Sequence, residues 1–104
     1  CTVCRRYGAL WAYGYMGEDV KVSGDTSVYI RGDREIGFRF CSSCGCVTHY
    51  VGLETDKDAR RGVAVNLRMA EPDPVAAIPL RRFEGLVQFK ALPGDGRCVA
   101  DLWS

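Results

Sequence analysis

Two pairs of cysteines with C-x-x-C spacing constrain this chain more than any other feature: Cys1 with Cys4, and Cys41 with Cys44. Cysteines three positions apart on a tight turn present both sulfurs to one ion, a spacing typical of tetrahedral zinc sites. The six cysteines fall below the density of a disulfide scaffold, which is roughly 8–10%. We therefore predict zinc rather than disulfides. The residues alone fit one structural site of four cysteines that closes the loop across residues 36–40.

A bound structural metal would add stability that a chain of this length needs. The 104 residues predict one domain, residues 1–104, that exposes roughly 5,800 Å² when folded and buries about 65% of its unfolded surface. Packing alone would stabilise such a domain modestly, whereas a structural zinc site contributes on the order of 10 kcal/mol.

Charge and hydropathy narrow the function classes. Fourteen basic and thirteen acidic residues leave a net charge of +1, which predicts no nucleic-acid partner and no membrane partner. The sequence has neither an apolar run of membrane-spanning length nor a leader, so we expect a cytoplasmic protein. Because the sequence opens on Cys1 rather than methionine, we also expect further residues upstream. Nothing in the sequence indicates an oligomeric state.

The apolar residues alternate with the period of β-strands, which predicts a mainly β, antiparallel fold. Turn residues separate the runs, for example Gly24-Asp25 and Gly32-Asp33. One short helix is predicted, with Asp73 as N-cap, Pro74 at the first helical position and an end at Ile78 before Pro79. The predicted strands cover residues 28–31, 36–40, 47–53, 63–69 and 86–92.

Three further side chains have a structural and a functional interpretation. We predict that Cys46 packs, although it could line a site, and that Cys98 is a buried thiol. His49 shares a face with Val47 and Val51, which favours a satisfied core histidine over a metal ligand.

Several blocks of the sequence resemble the glutathione-dependent formaldehyde-activating enzyme family, which includes centromere protein V. The segments Ile78-Pro79 and Phe83-Glu84-Gly85 follow those blocks in the family's order. The resemblance covers nearly the whole chain. The blocks are residues 1–14 (CTVCRRYGALWAYG), 37–50 (GFRFCSSCGCVTHY) and 61–69 (RGVAVNLRM).

The resemblance implies a β-tent fold of coiled antiparallel sheets with two zinc sites. Cys41 and Cys44 would join an upstream C-x-C pair, absent from this sequence, in a closed structural site. Cys1 and Cys4 would be the last two of three cysteines at an open, catalytic site. The 104-residue chain could instead hold one zinc through all four cysteines.

The implied activity is that of a carbon–sulfur lyase in which glutathione, or a similar thiol, forms an adduct with formaldehyde or another aldehyde. A tripeptide anion needs cationic or amide donors. Asn66 and Arg68, on the polar side of a predicted strand, are the preferred donors, and Trp11 and Tyr13 would wall the pocket. The other candidate donors are Arg5, Arg6 and Arg61; each arginine has the alternative role of a solvated surface charge, and each aromatic that of a core residue.

Two other classes stay open. The chain could be a zinc-stabilised β-tent binding module whose metal is purely structural, in which case every zinc has four sulfur ligands. A zinc-ribbon nucleic-acid binder is disfavoured by the net charge of +1 and by arginines scattered along the sequence.

Overall fold

The computed structural model describes residues 2–103, with Cys1 and Ser104 outside it. Strand accounts for 32% of the chain and helix for 17%, which confirms a mainly β protein. A short 3-10 helix, Leu67–Met69, directly follows the last strand of the main sheet. A second 3-10 helix, Val99–Leu102, is the last element of the described residues. The helices are α1 (Thr2–Tyr7) and α2 (Pro72–Val75), and the strands are β1 (Trp11–Tyr15), β2 (Ser27–Ile30), β3 (Ile36–Phe40), β4 (Val47–Gly52), β5 (Gly62–Asn66), β6 (Phe83–Glu84) and β7 (Lys90–Ala91).

Five strands form one antiparallel sheet in the order β1-β5-β4-β3-β2. Strands β2 to β5 follow one another as a meander, and β1 crosses over to pair with β5 at the far edge. The crossover places the start of β1, and α1 before it, against the end of β5, where Trp11 pairs with Asn66. Strands β6 and β7 form a separate hairpin.

One face of the sheet carries a row of aromatic side chains. Residues directly opposite each other on paired strands share a face, and the register places Tyr13, Ala64, Tyr50, Phe38 and Tyr29 in one row across the five strands. Phe38 is 2% exposed and Ala64 is fully buried, so the row continues the core outward from the central strands.

The buried core is small. Five hydrophobic residues in the described part of the chain are buried, and four of them lie on β3, β4 and β5. The exposed surface is 7484 Å², well above the roughly 5,800 Å² expected for a chain of this length. The excess reflects large apolar side chains that stay at the surface, several of them in the β6–β7 hairpin.

The predicted strands agree with β2, β3 and β4 to within about one residue at each end. The strand predicted over residues 63–69 ends at Asn66, because the Asn66 side chain accepts the backbone N–H of Arg68 and starts a 3-10 turn. The alternation of apolar residues did not predict strand β1, Trp11–Tyr15. Helix α2 begins at Pro72 with Glu71 at the N-cap position, so Asp73 as N-cap was wrong.

The last predicted strand, residues 86–92, is wrong over most of its length. Only Lys90–Ala91 pairs, with Phe83–Glu84 as partner. The backbone N–H groups of residues 86–89 instead donate to the carboxylate of Glu84, which removes them from any strand ladder. Neither helix among residues 2–103 has the length and apolar character needed to cross a membrane.

Candidate metal and thiol site

The turn from Cys41 to Cys46 joins β3 to β4 in the form predicted for a zinc knuckle. The Cys41 N–H donates to the carbonyl of Cys46 at 2.9 Å, and the Gly45 N–H donates back to the carbonyl of Cys41 at 2.8 Å. Gly45 takes a φ of +76°, a conformation that glycine adopts without steric cost. This backbone geometry holds Cys41 and Cys44 at one tight turn, with Cys41 half-buried and Cys44 exposed.

The local electrostatics favour a thiolate at Cys41. The backbone N–H groups of Cys44 and Ser43 point at its sulfur and lower its pKa. At Cys44 the N–H of Cys46 acts in the same direction, but the neighbouring thiols of Cys46 and Cys41 outweigh it, and the pKa of Cys44 is raised. Zinc binds thiolates, and amides aimed at the sulfur are the usual second layer of such a site. Cys41 with its amide donors therefore has the chemistry of a zinc ligand, and the Cys41 and Cys44 sulfurs together supply half of a tetrahedral site.

The first C-x-x-C pair has a different local structure from the predicted knuckle. Residues Thr2–Tyr7 form helix α1, so Cys4 lies on a helix rather than in a turn. Cys1 lies outside the described residues, and the geometry predicted for this pair stays a prediction. The helix ends where Ala9 donates to the carbonyl of Cys4 at 3.3 Å and Gly8 takes a φ of +58°.

The half-buried Cys4 sulfur sits against the aromatic row of the sheet. The indole Nε1 of Trp11 donates to it at 3.3 Å. Trp11 is held in turn by an edge-on contact with Tyr50, whose ring centroid is 4.9 Å away, and by a tilted contact with Phe38 at 6.1 Å. Burial, with the neighbouring Tyr13 adding to it, raises the pKa of Tyr50. Trp11 therefore packs with the core aromatic residues and bonds to the Cys4 sulfur, and its role as a wall of a substrate pocket stays a prediction.

The complete ligand set is not assembled within the described part of the chain. Across residues 2–103, no three cysteine, histidine, aspartate or glutamate side chains converge at metal-binding distance. The assignment of Cys1, Cys4, Cys41 and Cys44 to one or two zinc sites therefore stays a prediction. The five described cysteines, Cys4, Cys41, Cys44, Cys46 and Cys98, are all free thiols.

A groove lies between α1 and the aromatic face, beside the Cys41–Cys46 turn. Its volume is about 470 Å³, within the range of small-molecule sites. Arg6 is its one cationic lining residue, whereas Arg5 lies exposed in the last turn of the helix. Sequence reasoning missed this groove, although aromatic residues recurring on neighbouring strands are a signal for it. The lining residues are Thr2, Val3, Arg6, Tyr7, Tyr29, Phe38, Phe40, Gly45 and Val47.

Asn66 does not lie on an exposed polar face, which corrects the sequence-based prediction. It is 7% exposed. Its Nδ2 donates to the carbonyl of Val47 at 2.9 Å, and its Oδ1 accepts the N–H groups of Leu10 and Arg68, each at 3.2 Å. The side chain thus joins β4, β5 and the segment before β1, and a role in binding substrate has no support in this geometry.

Two candidate arginines also bond to the backbone. Arg68 donates from Nε to the carbonyl of Gly8 at 2.6 Å and from Nη1 to the carbonyl of Leu102 at 2.9 Å, which joins the two ends of the described chain. Arg61 donates to the carbonyl of Gly52 at 2.6 Å. Tyr13 is 75% exposed, and neither Tyr13 nor Trp11 is among the residues that line the groove.

The remaining predicted positions are structural. His49 is buried and its Nδ1 lies 2.8 Å from the Thr48 hydroxyl, which confirms a satisfied core histidine. Burial, and secondarily the charge of Arg39, lowers its pKa. Cys46 is half-buried, and its packing role stays a prediction, whereas Cys98 is half-buried rather than fully buried.

The fold and the site together define a mainly β protein with a cysteine turn set into a five-stranded antiparallel sheet. Comparison of the chain with models of known protein families, with curated proteins and with solved structures finds no match.

Proposed function

We propose that this protein binds zinc through its C-x-x-C cysteines and promotes the addition of glutathione, or a similar thiol, to formaldehyde or another aldehyde. This is carbon–sulfur lyase chemistry on a β-tent fold. The observation that supports it best is the set of N–H groups aimed at cysteine sulfur. Ser43 and Cys44 supply them at Cys41, and the Trp11 indole supplies one at Cys4. Such donors stabilise the thiolate form that binds metal.

The two cysteine pairs have distinct roles in this proposal. Cys41 and Cys44 supply two of the four sulfurs of a closed structural site at the end of β3, and Cys1 and Cys4 supply two of the three sulfurs of the open site, as the resemblance implies. When bound at the open site, zinc stabilises an incoming thiol as its thiolate at neutral pH. Trp11 orients the Cys4 sulfur through its indole N–H, and the surrounding aromatic rings exclude water from one side of that sulfur.

The addition itself balances without any oxidant or reductant. The substrate sulfur bonds to the carbonyl carbon, the carbon–oxygen double bond becomes a single bond, and the thiol proton ends on the new hydroxyl. Arg5 and Arg6, in the last turn of α1, are the cations placed to attract the carboxylates of glutathione. Arg6 faces the groove, so it is the first residue we assign to substrate binding.

Zinc content tests the metal part of the proposal. Elemental analysis of the purified chain should show bound zinc, and Cys41→Ser should remove most of it. Cys98→Ser is the matched control, because Cys98 is a half-buried thiol outside both pairs, and it should keep the wild-type zinc content. Equal zinc in the wild-type and Cys41→Ser chains would contradict the metal assignment.

Exchange kinetics test the chemistry. Thiols add to formaldehyde unaided, so the measurement is the rate of exchange between free formaldehyde and its glutathione adduct, followed by NMR with labelled formaldehyde. The wild-type chain should accelerate exchange, Cys4→Ser should abolish the acceleration, and Arg6→Gln should weaken it. Zinc-loaded protein that exchanges no faster than Cys4→Ser would contradict the activity.

One observation favours a non-catalytic zinc module as the second candidate function. The side chains of Asn66 and Arg68, which the sequence predicts as donors to substrate, donate their hydrogen bonds to backbone carbonyls instead. A purely structural zinc predicts that the chain binds metal, loses its fold on chelation and leaves the exchange rate unchanged. The two experiments above separate the candidates.

A further inference from the structure

The hairpin formed by β6 and β7 presents an unusually apolar tip. Four large hydrophobic side chains within seven residues are exposed: Phe83 by 56%, Leu86 by 79%, Val87 by 82% and Phe89 by 66%. Single exposed hydrophobic residues are common, but contiguous ones mark interaction sites. We refer to residues 83–89 as the hairpin tip.

The hairpin tip is held open by one carboxylate. Glu84 accepts the backbone N–H groups of Leu86 at 2.8 Å, Val87 at 3.0 Å and Phe89 at 3.3 Å, together with that of Gln88. These amides, led by that of Gln88, lower the pKa of Glu84. Because the loop wraps its backbone around the carboxylate, the side chains of Leu86 and Val87 are turned outward, and the Phe89 ring stands edge-on against Phe83 with its centroid 5.3 Å away. The apolar surface is therefore built into the loop.

The charge around the hairpin tip is positive. Residues 81–97 contain four cations and two carboxylates, a local net charge of +2 against +1 for the whole chain. The Glu84 carboxylate accepts hydrogen bonds from the loop amides. The Asp95 carboxylate lies 2.9 Å from Nε of Arg97 and 3.9 Å from Nε of Arg82. Lys90 pairs with Glu84 beside the tip, and Arg81 lies two residues before β6. The net charge of the chain conceals this local pattern.

We propose that the hairpin tip docks on an anionic lipid surface, independently of the thiol chemistry above. Leu86, Val87 and Phe89 would enter the boundary between headgroups and acyl chains, while Arg81, Arg82 and Lys90 would contact lipid phosphates. A small convex apolar loop with a basic collar matches such a surface in both hydrophobicity and charge. A second copy of the chain would repeat the same positive charge, so charge complementarity favours the lipid.

Vesicle co-sedimentation tests this docking. The wild-type chain should pellet with vesicles of phosphatidylcholine mixed with phosphatidylserine and remain in the supernatant with phosphatidylcholine alone. The double variant Leu86→Ser/Val87→Ser should bind the vesicles at least about tenfold more weakly than the wild type, because it removes two of the three inserted apolar side chains. Arg81→Gln and Lys90→Gln should each weaken binding by about fivefold.

Val22→Ser is the matched control, since Val22 is also exposed, by 43%, but lies far along the chain from the hairpin tip. It should bind like the wild type. Near-ultraviolet circular dichroism checks that each variant keeps its fold. The proposal is overturned if the wild type does not pellet, if the double variant binds as well as the wild type, or if light scattering shows lipid-free self-association that the double variant abolishes.

Discussion

Replacing Asn66 by alanine should destabilise the fold strongly, although no apolar side chain is lost. The Asn66 amide makes three hydrogen bonds to backbone groups of Val47, Leu10 and Arg68. Each such bond contributes about 1 kcal/mol net, and a buried carbonyl left without a donor costs about 1–3 kcal/mol. Asn66→Ala should therefore lower the free energy of unfolding by about 3 kcal/mol, a large part of the total for a small domain.

Urea unfolding followed by far-ultraviolet circular dichroism measures this loss, with zinc held at a fixed concentration so that metal binding does not vary. With a slope of about 1.5 kcal/mol per molar urea, the midpoint should fall by about 2 M. Gln88→Ala is the control, because it removes an exposed polar side chain and should leave the midpoint unchanged. A loss below about 1 kcal/mol for Asn66→Ala would refute the inference that its amide holds the sheet to the preceding segment.

Three other changes probe the turn, the hairpin and the core. Gly45→Ala should destabilise the cysteine turn by about 1 kcal/mol, because Gly45 has a positive φ that alanine adopts only with strain. The added methyl group meets open space, so no steric clash contributes. Gly94→Ala is the control in the same urea assay, because its methyl group also meets open space but Gly94 has no positive φ. Backbone amides lower the pKa of Glu84 from its ordinary value of 4.5, so their hydrogen bonds to the carboxylate stabilise the hairpin at pH values above 4.5 and are lost as the pH falls through the lowered pKa. The protection factors of the amides at residues 86–89, which compare observed with intrinsic exchange rates, should fall there, and unchanged protection factors would contradict this. The pKa of His49 is lowered from 6.5 mainly by burial, so the fold should lose stability as the pH falls below 6.5, and NMR of the chain's single imidazole should give a midpoint below that value.

The cysteine turn and its flanking strands were predictable because their signals are local. The alternation of Ile36, Phe38 and Phe40 runs directly into Cys41, and Gly45 supplies the positive φ that the turn requires. The alternation of apolar residues and the residue preferences of turns both act over a few residues, so the sequence alone is enough to locate strands β3 and β4 and the turn between them.

Asn66 shows where such reasoning ends. In strand β5 the alternation predicts a polar side for Asn66, yet both Val63 and Ala64, which point to opposite faces, are buried. The face that the pattern leaves polar also carries aromatic residues of the neighbouring strands, with Tyr50 opposite Ala64 and Trp11 opposite Asn66, and only the strand order reveals them. The same limit applies to Arg68, whose partners at Gly8 and Leu102 are 60 and 34 residues away in the sequence.

Phe38 connects the two cysteine pairs, which determines how their variants are interpreted. It lies two residues before Phe40, which leads into Cys41, and its ring packs against Trp11, whose indole bonds to Cys4. A change that opens the Cys41 turn will therefore shift Phe38 and, through Trp11, the Cys4 sulfur. Loss of the proposed activity in Cys41→Ser would follow from either a structural or a catalytic role for that pair. Cys4→Ser, which leaves β3 and its turn intact, is the substitution that isolates chemistry from fold.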